Sequence, residues 1–228
     1  MTRTPHTSTG YEDQLDEAHA LMMQLGGRVE RQVVDAIESL TTGSPALADQ
    51  VLRHEAVINA LEIDIDALVG RIIARRQPAA RDLRMLMAIV KATTHLERVG
   101  DEAKKIALHA LRRAPGQRGL PRDVEIRRIA QMVTSMLRSS LSAFERMEVA
   151  GASGVAGRDL DVDDAFRSVL RQLITLMIAD PRTISEALDI VFVAKSLERI
   201  GDHAKNIAEQ VIYAVDGRDV RHASDPRR

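Results

Sequence analysis

The chain has no cysteine and no tryptophan, and aromatic residues fill only 2% of its 228 positions. The absence of cysteine excludes disulfides, thiolate metal sites and cysteine nucleophiles together, so any metal must be held by oxygen or imidazole. With so few aromatics there is no stacking platform for single-stranded nucleic acid, and the core must be built from Leu, Ile, Val, Ala and the nine Met. An excess of either charge is missing as well: 32 basic residues face 33 acidic ones, which argues against nucleic acid as a partner. No apolar run approaches the roughly 18 residues of a membrane span. The opening "MTRTPHTSTG" lacks the apolar centre of a signal peptide. A cytoplasmic protein is the expectation.

Alternation of the strand type is almost absent, and the turn signals divide the rest into six long helical segments, three on each side of residue 115. "TTGSP" at 41–45 places a glycine at a helix end, then Ser44-Pro45 as cap and first-turn proline. Gln77-Pro78 is a second break, because the residue before proline avoids the α region. "AGASGVAG" at 150–157 reads as a flexible loop, and Asp180-Pro181 as a further cap and start. The expected organisation is an all-α chain: a disordered lead-in at 1–10, a first repeat at 11–113, a linker at 114–120, a second repeat at 121–217 and a disordered tail at 218–228.

One stretch is written twice. "ERVGDE" at 97–102 and "ERIGDH" at 198–203 share Glu, Arg, Gly and Asp at a constant offset of 101, and Lys104 and Lys205 keep the same offset. In the third segment Leu83, Leu86, Val90 and Thr94 run along one seam to Glu97 and Asp101, then to Lys104, Leu108 and Leu111. The sixth repeats this with Ile184, Ala187 and Val191, then Glu198, Asp202, Lys205, Glu209 and Ile212. Glu at i and Asp at i+4 are helix neighbours, with Cβ atoms about 6 Å apart. Two like charges there repel, and partial burial sharpens the repulsion.

Two remedies are open: the motif lysines as internal partners, or a cation held between neighbouring helices. Hard oxygen donors suit Mg²⁺, Mn²⁺, Ca²⁺ or iron better than zinc or copper. Other segments offer further donors. Asp159 and Asp163 form the same acidic pair in the fifth segment, and Glu55 with Asn59 takes the equivalent place in the second. There Leu61, Ile65, Leu68 and Ile72 form the packing stripe, while Glu55, Asn59, Glu62 and Asp66 follow the same steps on an adjoining face that is as readily a solvated one. Gly100 and Gly201 cost about 1 kcal/mol each inside a helix, a cost that close helix approach would explain.

The ordered set "LGGRVERQVVDAI", "IIARRQPAARDLRML", "LERVGDEAKKIA" and "LERIGDHAKNIAEQVIYAVDG" resembles the PhoU family of bacterial phosphate-transport regulators along nearly the whole chain. That resemblance implies two tandem three-helix bundles related by pseudo-two-fold symmetry, with E/DxxxD motifs that bind metal ions. It assigns Glu97, Asp101, Glu198 and Asp202 as ligands, with Asp159, Asp163 and Glu55. Asn59 stands where the family often has Asp, which suggests a weaker first site; Asn206 and Glu209 flank the second motif. The ions implied are iron, Mn, Mg or Zn. The function implied is that of a non-enzymatic, homodimeric negative regulator of phosphate uptake and of the phosphate-starvation response. It would couple the phosphate ABC importer to a sensor histidine kinase and reach the membrane only through those partners.

The alternative is a carboxylate-bridged di-metal enzyme in a helical bundle. That class uses Glu-x-x-His, and none of the seven His has Glu three residues before it. The arginines at 71, 75, 76, 81 and 84 read first as a solvated basic corner. His203, next to Asp202, points away from it and reads as exposed or supporting, not as a ligand.

Overall fold

A computed structural model describes residues 9–112 and 125–220. Helices α1 (Thr9–Thr42), α2 (Pro45–Arg76) and α3 (Ala80–Arg112) form one bundle. Helices α4 (Ile126–Arg146), α5 (Val149–Ala156), α6 (Asp159–Ala179) and α7 (Ile184–Asp216) form the second. There is no strand among the described residues. The two bundles lie side by side, joined chiefly by α3 against α7, with α1 also touching α4. Helices α3 and α7 run antiparallel, since His109 meets Asp189, Glu102 meets Arg199 and His95 meets His203.

Local chemistry sets the boundaries. Gly43 ends α1 at φ 71°, a left-handed backbone that costs glycine nothing. Ser44 then precedes Pro45 at the first position of α2. Gln77 closes α2 in the left-handed region, its N–H donating to the carbonyl of Ile73, immediately before Pro78. The carboxylate of Asp180 accepts from the N–H of Arg182 over a short 3₁₀ turn, Pro181–Thr183, that feeds α7. The core is aliphatic as expected. Leu25, Ile58, Ile65, Ile72, Leu86, Ile89, Leu96 and Ile106 are fully buried in the first bundle, and Phe144 is the one large aromatic buried in the second.

Three expectations are corrected. Residues 150–157 are not a loop but most of α5, because Ala152 and Val155 are buried and Gly151 lets the helix approach Ala143 of α4 closely. The counterpart of α2 is thus a helix broken in two at Gly157-Arg158. Helix α1 begins at Thr9, inside the expected lead-in, while residues 1–8 lie outside the described residues. Arg218 to Val220 are placed, with Val220 packed on the core, so the tail is not wholly detached; 221–228 and the linker 114–120 lie outside the described residues. The motif seam lies at the border of the core, with the carboxylates half-buried as the expected repulsion requires, while Leu83, Leu111 and Ile184 are exposed.

The basic corner is solvated at Arg71, Arg75, Arg76 and Arg81. Arg84 is half-buried against Gly217.

Candidate functional site

In the first bundle Glu97 and Asp101 stand one turn apart on α3, facing Glu55 and Glu62 of α2. Burial, then Asp101, Glu62 and Glu55, raise the carboxyl of Glu97 above its ordinary range, against a smaller opposing effect of Arg98. Glu62 is raised by burial, then by Asp66 and Asp101. Lys104 Nζ donates to Glu55 Oε1 at 3.1 Å, while Glu55 Oε2 is buried without a hydrogen bond. Asn59 is exposed.

The second bundle repeats the arrangement. Burial, then Glu198, Asp159 and Asp163, push the carboxyl of Asp202 up to about 6, with Lys195 acting the other way. Lys205 Nζ donates to Asp159 Oδ2 at 2.8 Å, and Lys195 Nζ to Glu198 Oε1 at 2.7 Å. Burial alone would lower the ammonium of Lys205, but the bond to Asp159 and the charges of Asp159, Glu209 and Asp202 raise it. Asp163 is half-buried and pairs with Arg167 at 3.6 Å. Glu209 is buried close to Lys205, whereas Asn206 is half-buried and its backbone carbonyl accepts from Gln210.

The lysine bonds are one bond made twice, since Lys104 and Lys205 differ by 101 and Glu55 and Asp159 by 104. The motif lysines therefore neutralise acids of the second helix in each bundle, and the motif carboxylates, apart from Glu198 which Lys195 meets, are left facing acids. The offset of 104 carries Asn59 to Asp163 and Glu62 to Phe166. Glu62 thus restores, one turn further on, the charge that Asn59 lacks, and each cluster holds two motif acids and two acids of the second helix. The sequence leaves Glu62 on an adjoining row that is as readily solvated, outside the expected ligand set; its signal is its position seven residues after Glu55, two turns along the same face. Among the described residues, no three His, Asp or Glu side chains converge tightly enough, as they stand, to hold a metal ion.

Close approach accounts for Gly100, where a Cβ would stand 3.2 Å from Gln32 Oε1; at Gly201 a Cβ would make only ordinary contact, 3.4 Å from Val133 and Val162. Of the two expectations for His203, exposed or supporting, exposure does not hold: it is buried at the α3–α7 seam, its Nδ1 3.3 Å from Nδ1 of His95. Burial, then Arg98 and Arg199, lower its imidazole to about 4, against Glu102.

The sequence pattern of the PhoU domain matches residues 22–110 and again 126–211. The chain belongs to the PhoU domain family. Over 219 residues it is 44% identical to a protein of Pseudomonas putida named phosphate-specific transport system accessory protein PhoU homolog, covering 96% of this chain and 86% of that one. The accessory protein PhoU of Escherichia coli K12 is 39% identical over 217 residues, covering 95% and 90%. The crystal structure of PhoU from Pseudomonas aeruginosa matches with a TM-score of 0.88 at 43% identity, over 91% of this chain and all of that one. The phosphate transport system regulatory protein PhoU from Streptococcus pneumoniae matches at 0.85 with 25% identity, over 92% and 99%. As a PhoU-family chain, it carries the domain twice, and the acidic clusters lie within the two matched segments.

Proposed function

We propose that this chain is a non-enzymatic accessory regulator of phosphate uptake that restrains both transport and the phosphate-starvation response when phosphate is plentiful. The observation that carries the reading is near full-length similarity to proteins named as accessory to the phosphate-specific transport system. In its finer form, the chain acts in the cytoplasm as a homodimer and couples the phosphate ABC importer to a sensor histidine kinase. It reaches the membrane through those partners, and no helix among the described residues is long and apolar enough to cross a membrane. Deleting the gene and assaying alkaline phosphatase at high phosphate tests this. Constitutive expression is expected, and a normally repressed level would refute it.

The same reading gives the clusters a metal. Glu55, Glu62, Glu97 and Asp101 would hold an ion in the first bundle, and Asp159, Asp163, Glu198 and Asp202 in the second. The fit rests on chemistry: the donors are all oxygen, Glu55 Oε2 has no hydrogen bond, and Asp202 prefers a proton up to about 6. Lys104, Lys205, Lys195 and Arg167 answer part of this acidity, and a bound hard cation such as iron, Mn²⁺ or Mg²⁺ would supply the rest. Glu209 and Asn206 stand beside the second cluster. The di-metal enzyme reading gains nothing, since its Glu-x-x-His signature is missing.

A further inference from the structure

Between α1 and α2, away from both acidic clusters, the first bundle has a cleft of about 380 Å³. Its floor is Gly27, Val57 and Ile58, and its rim is Arg28, Arg31 and His54. That size lies within the ordinary range for small-molecule sites and far exceeds what a bare oxyanion fills. The rim chemistry is one-sided. Arg31 is exposed, and its Nε lies 2.9 Å from the fully buried Asp35, which also accepts from Gln50, so its terminal nitrogens are left for the cleft. Arg28 has no carboxylate partner among the described residues. Glu30, the nearest acid along α1, is engaged by Arg138 at 2.7 Å. His54 presents an imidazole that can donate a hydrogen bond in either protonation state.

The equivalent place in the second bundle is lined differently. Gly43 and Met147, both left-handed helix ends, fix an offset of 104 between the paired first and second helices. By that offset Arg28, Arg31 and His54 correspond to Met132, Ser135 and Arg158. There Arg158 donates to Ser135 Oγ at 3.0 Å and bridges the gap that stays open between His54 and Arg31. A second cleft, in the second bundle, is lined by Arg138, Arg146 and Arg158, with Arg138 paired to Glu30 and Arg146 to Glu148.

We infer that the α1–α2 cleft of the first bundle binds a small organic phosphate, its phosphoryl oxygens held by Arg28, Arg31 and His54 and its uncharged part laid on Gly27, Val57 and Ile58. Arginine forks match phosphate geometry in pairs, and the apolar floor asks for more than inorganic phosphate. This inference does not depend on the phosphate-regulator reading.

The test is calorimetric titration of the full chain, with EDTA present so that no metal bridges the anion, using adenosine 5′-monophosphate, adenosine and inorganic phosphate as probes. The monophosphate is expected to bind with a Kd below about 1 mM, and adenosine and inorganic phosphate each at least about tenfold more weakly. Arg28→Glu should weaken the monophosphate at least about tenfold. Gly27→Leu should abolish binding while keeping the fold, because a Cβ there meets nothing within 4 Å and leucine favours the helix. Undiminished binding by a folded Gly27→Leu protein, inorganic phosphate binding as tightly as the monophosphate, or no binding of the monophosphate by wild type would each overturn the inference.

Discussion

Asp202 and His203 are neighbours in sequence with opposite titration behaviour. The carboxyl of Asp202 is raised to about 6 by burial and the surrounding acids, so its ionised form is disfavoured in the fold. Its contribution is fully present below the unfolded value near 4 and is lost as pH rises through about 6. His203 is lowered to about 4, chiefly by burial. Its contribution is present above about 6.5 and is lost as pH falls towards about 4. The two trends oppose each other across nearly the same window. In metal-free protein, Asp202→Asn should therefore melt higher than wild type at pH 7.5, and the gain should shrink as pH falls from about 6 towards about 4. His203→Gln should show its most favourable shift relative to wild type at the acid end. Thermal melts of the three proteins from pH 4 to 7.5 in EDTA check both; an Asp202→Asn protein that melts lower than wild type at pH 7.5 would mean that its carboxylate is a net stabiliser.

Metal addition reads the same residues differently. A ligand that binds only the folded chain raises the melting temperature by mass action. Mn²⁺ or Fe²⁺ should stabilise wild type, and Asp202→Asn should lose the part due to the second cluster. Glu62→Gln should lose the part due to the first, because Glu62 stands in for the charge absent at Asn59. Indifference of Glu62→Gln, beside a clear loss in Glu97→Gln, would remove Glu62 from the site.

At the scale of elements, close approach is set by small residues. A Cβ at Gly26 on α1 would come within 2.5 Å of Leu141 on α4, so this glycine fixes the crossing of the first helices of the two bundles. Gly26→Leu should destabilise the protein by about 1–3 kcal/mol through overpacking. Gly201→Ala meets only ordinary contacts near 3.4 Å and should be neutral or stabilising by up to about 1 kcal/mol. Chemical denaturation of both variants checks the contrast. Helix positions and ends were legible because their signals are local: Gly43, Pro45, Pro78 and Asp180 each act on a few adjacent dihedrals. Helix α5 was not, since "AGASGVAG" has the composition of a loop and is held helical by burying Ala152 and Val155 against its neighbours. The inward side of Glu62 was hidden for a related reason. A row of acids along a helix reads as solvated until the neighbouring helix is placed, and only then do Glu97 and Asp101 face it.

For the whole molecule, the duplication was plain from the 101-residue offset, because helical repeats keep their spacing when the loops do. What spacing could not show is how the halves meet. Their main contact is the antiparallel α3–α7 seam, where Arg199 Nη1 lies 3.1 Å from Glu102 and the pseudo-equivalent pair brings Arg98 towards His203.

That asymmetry breaks the repeat at its own interface. Arg98 and Arg199 occupy one repeat position (199 − 98 = 101), and Glu102 and His203 another (203 − 102 = 101). Two copies of the first half, meeting as the halves do here, would form the Arg98–Glu102 pair twice and so be self-complementary. Two copies of the second would set Arg199 against His203 twice, with no acid to answer it. The halves are therefore not interchangeable at this contact. His203→Glu would make the contact symmetric, placing a carboxylate opposite Arg98 to match the one opposite Arg199.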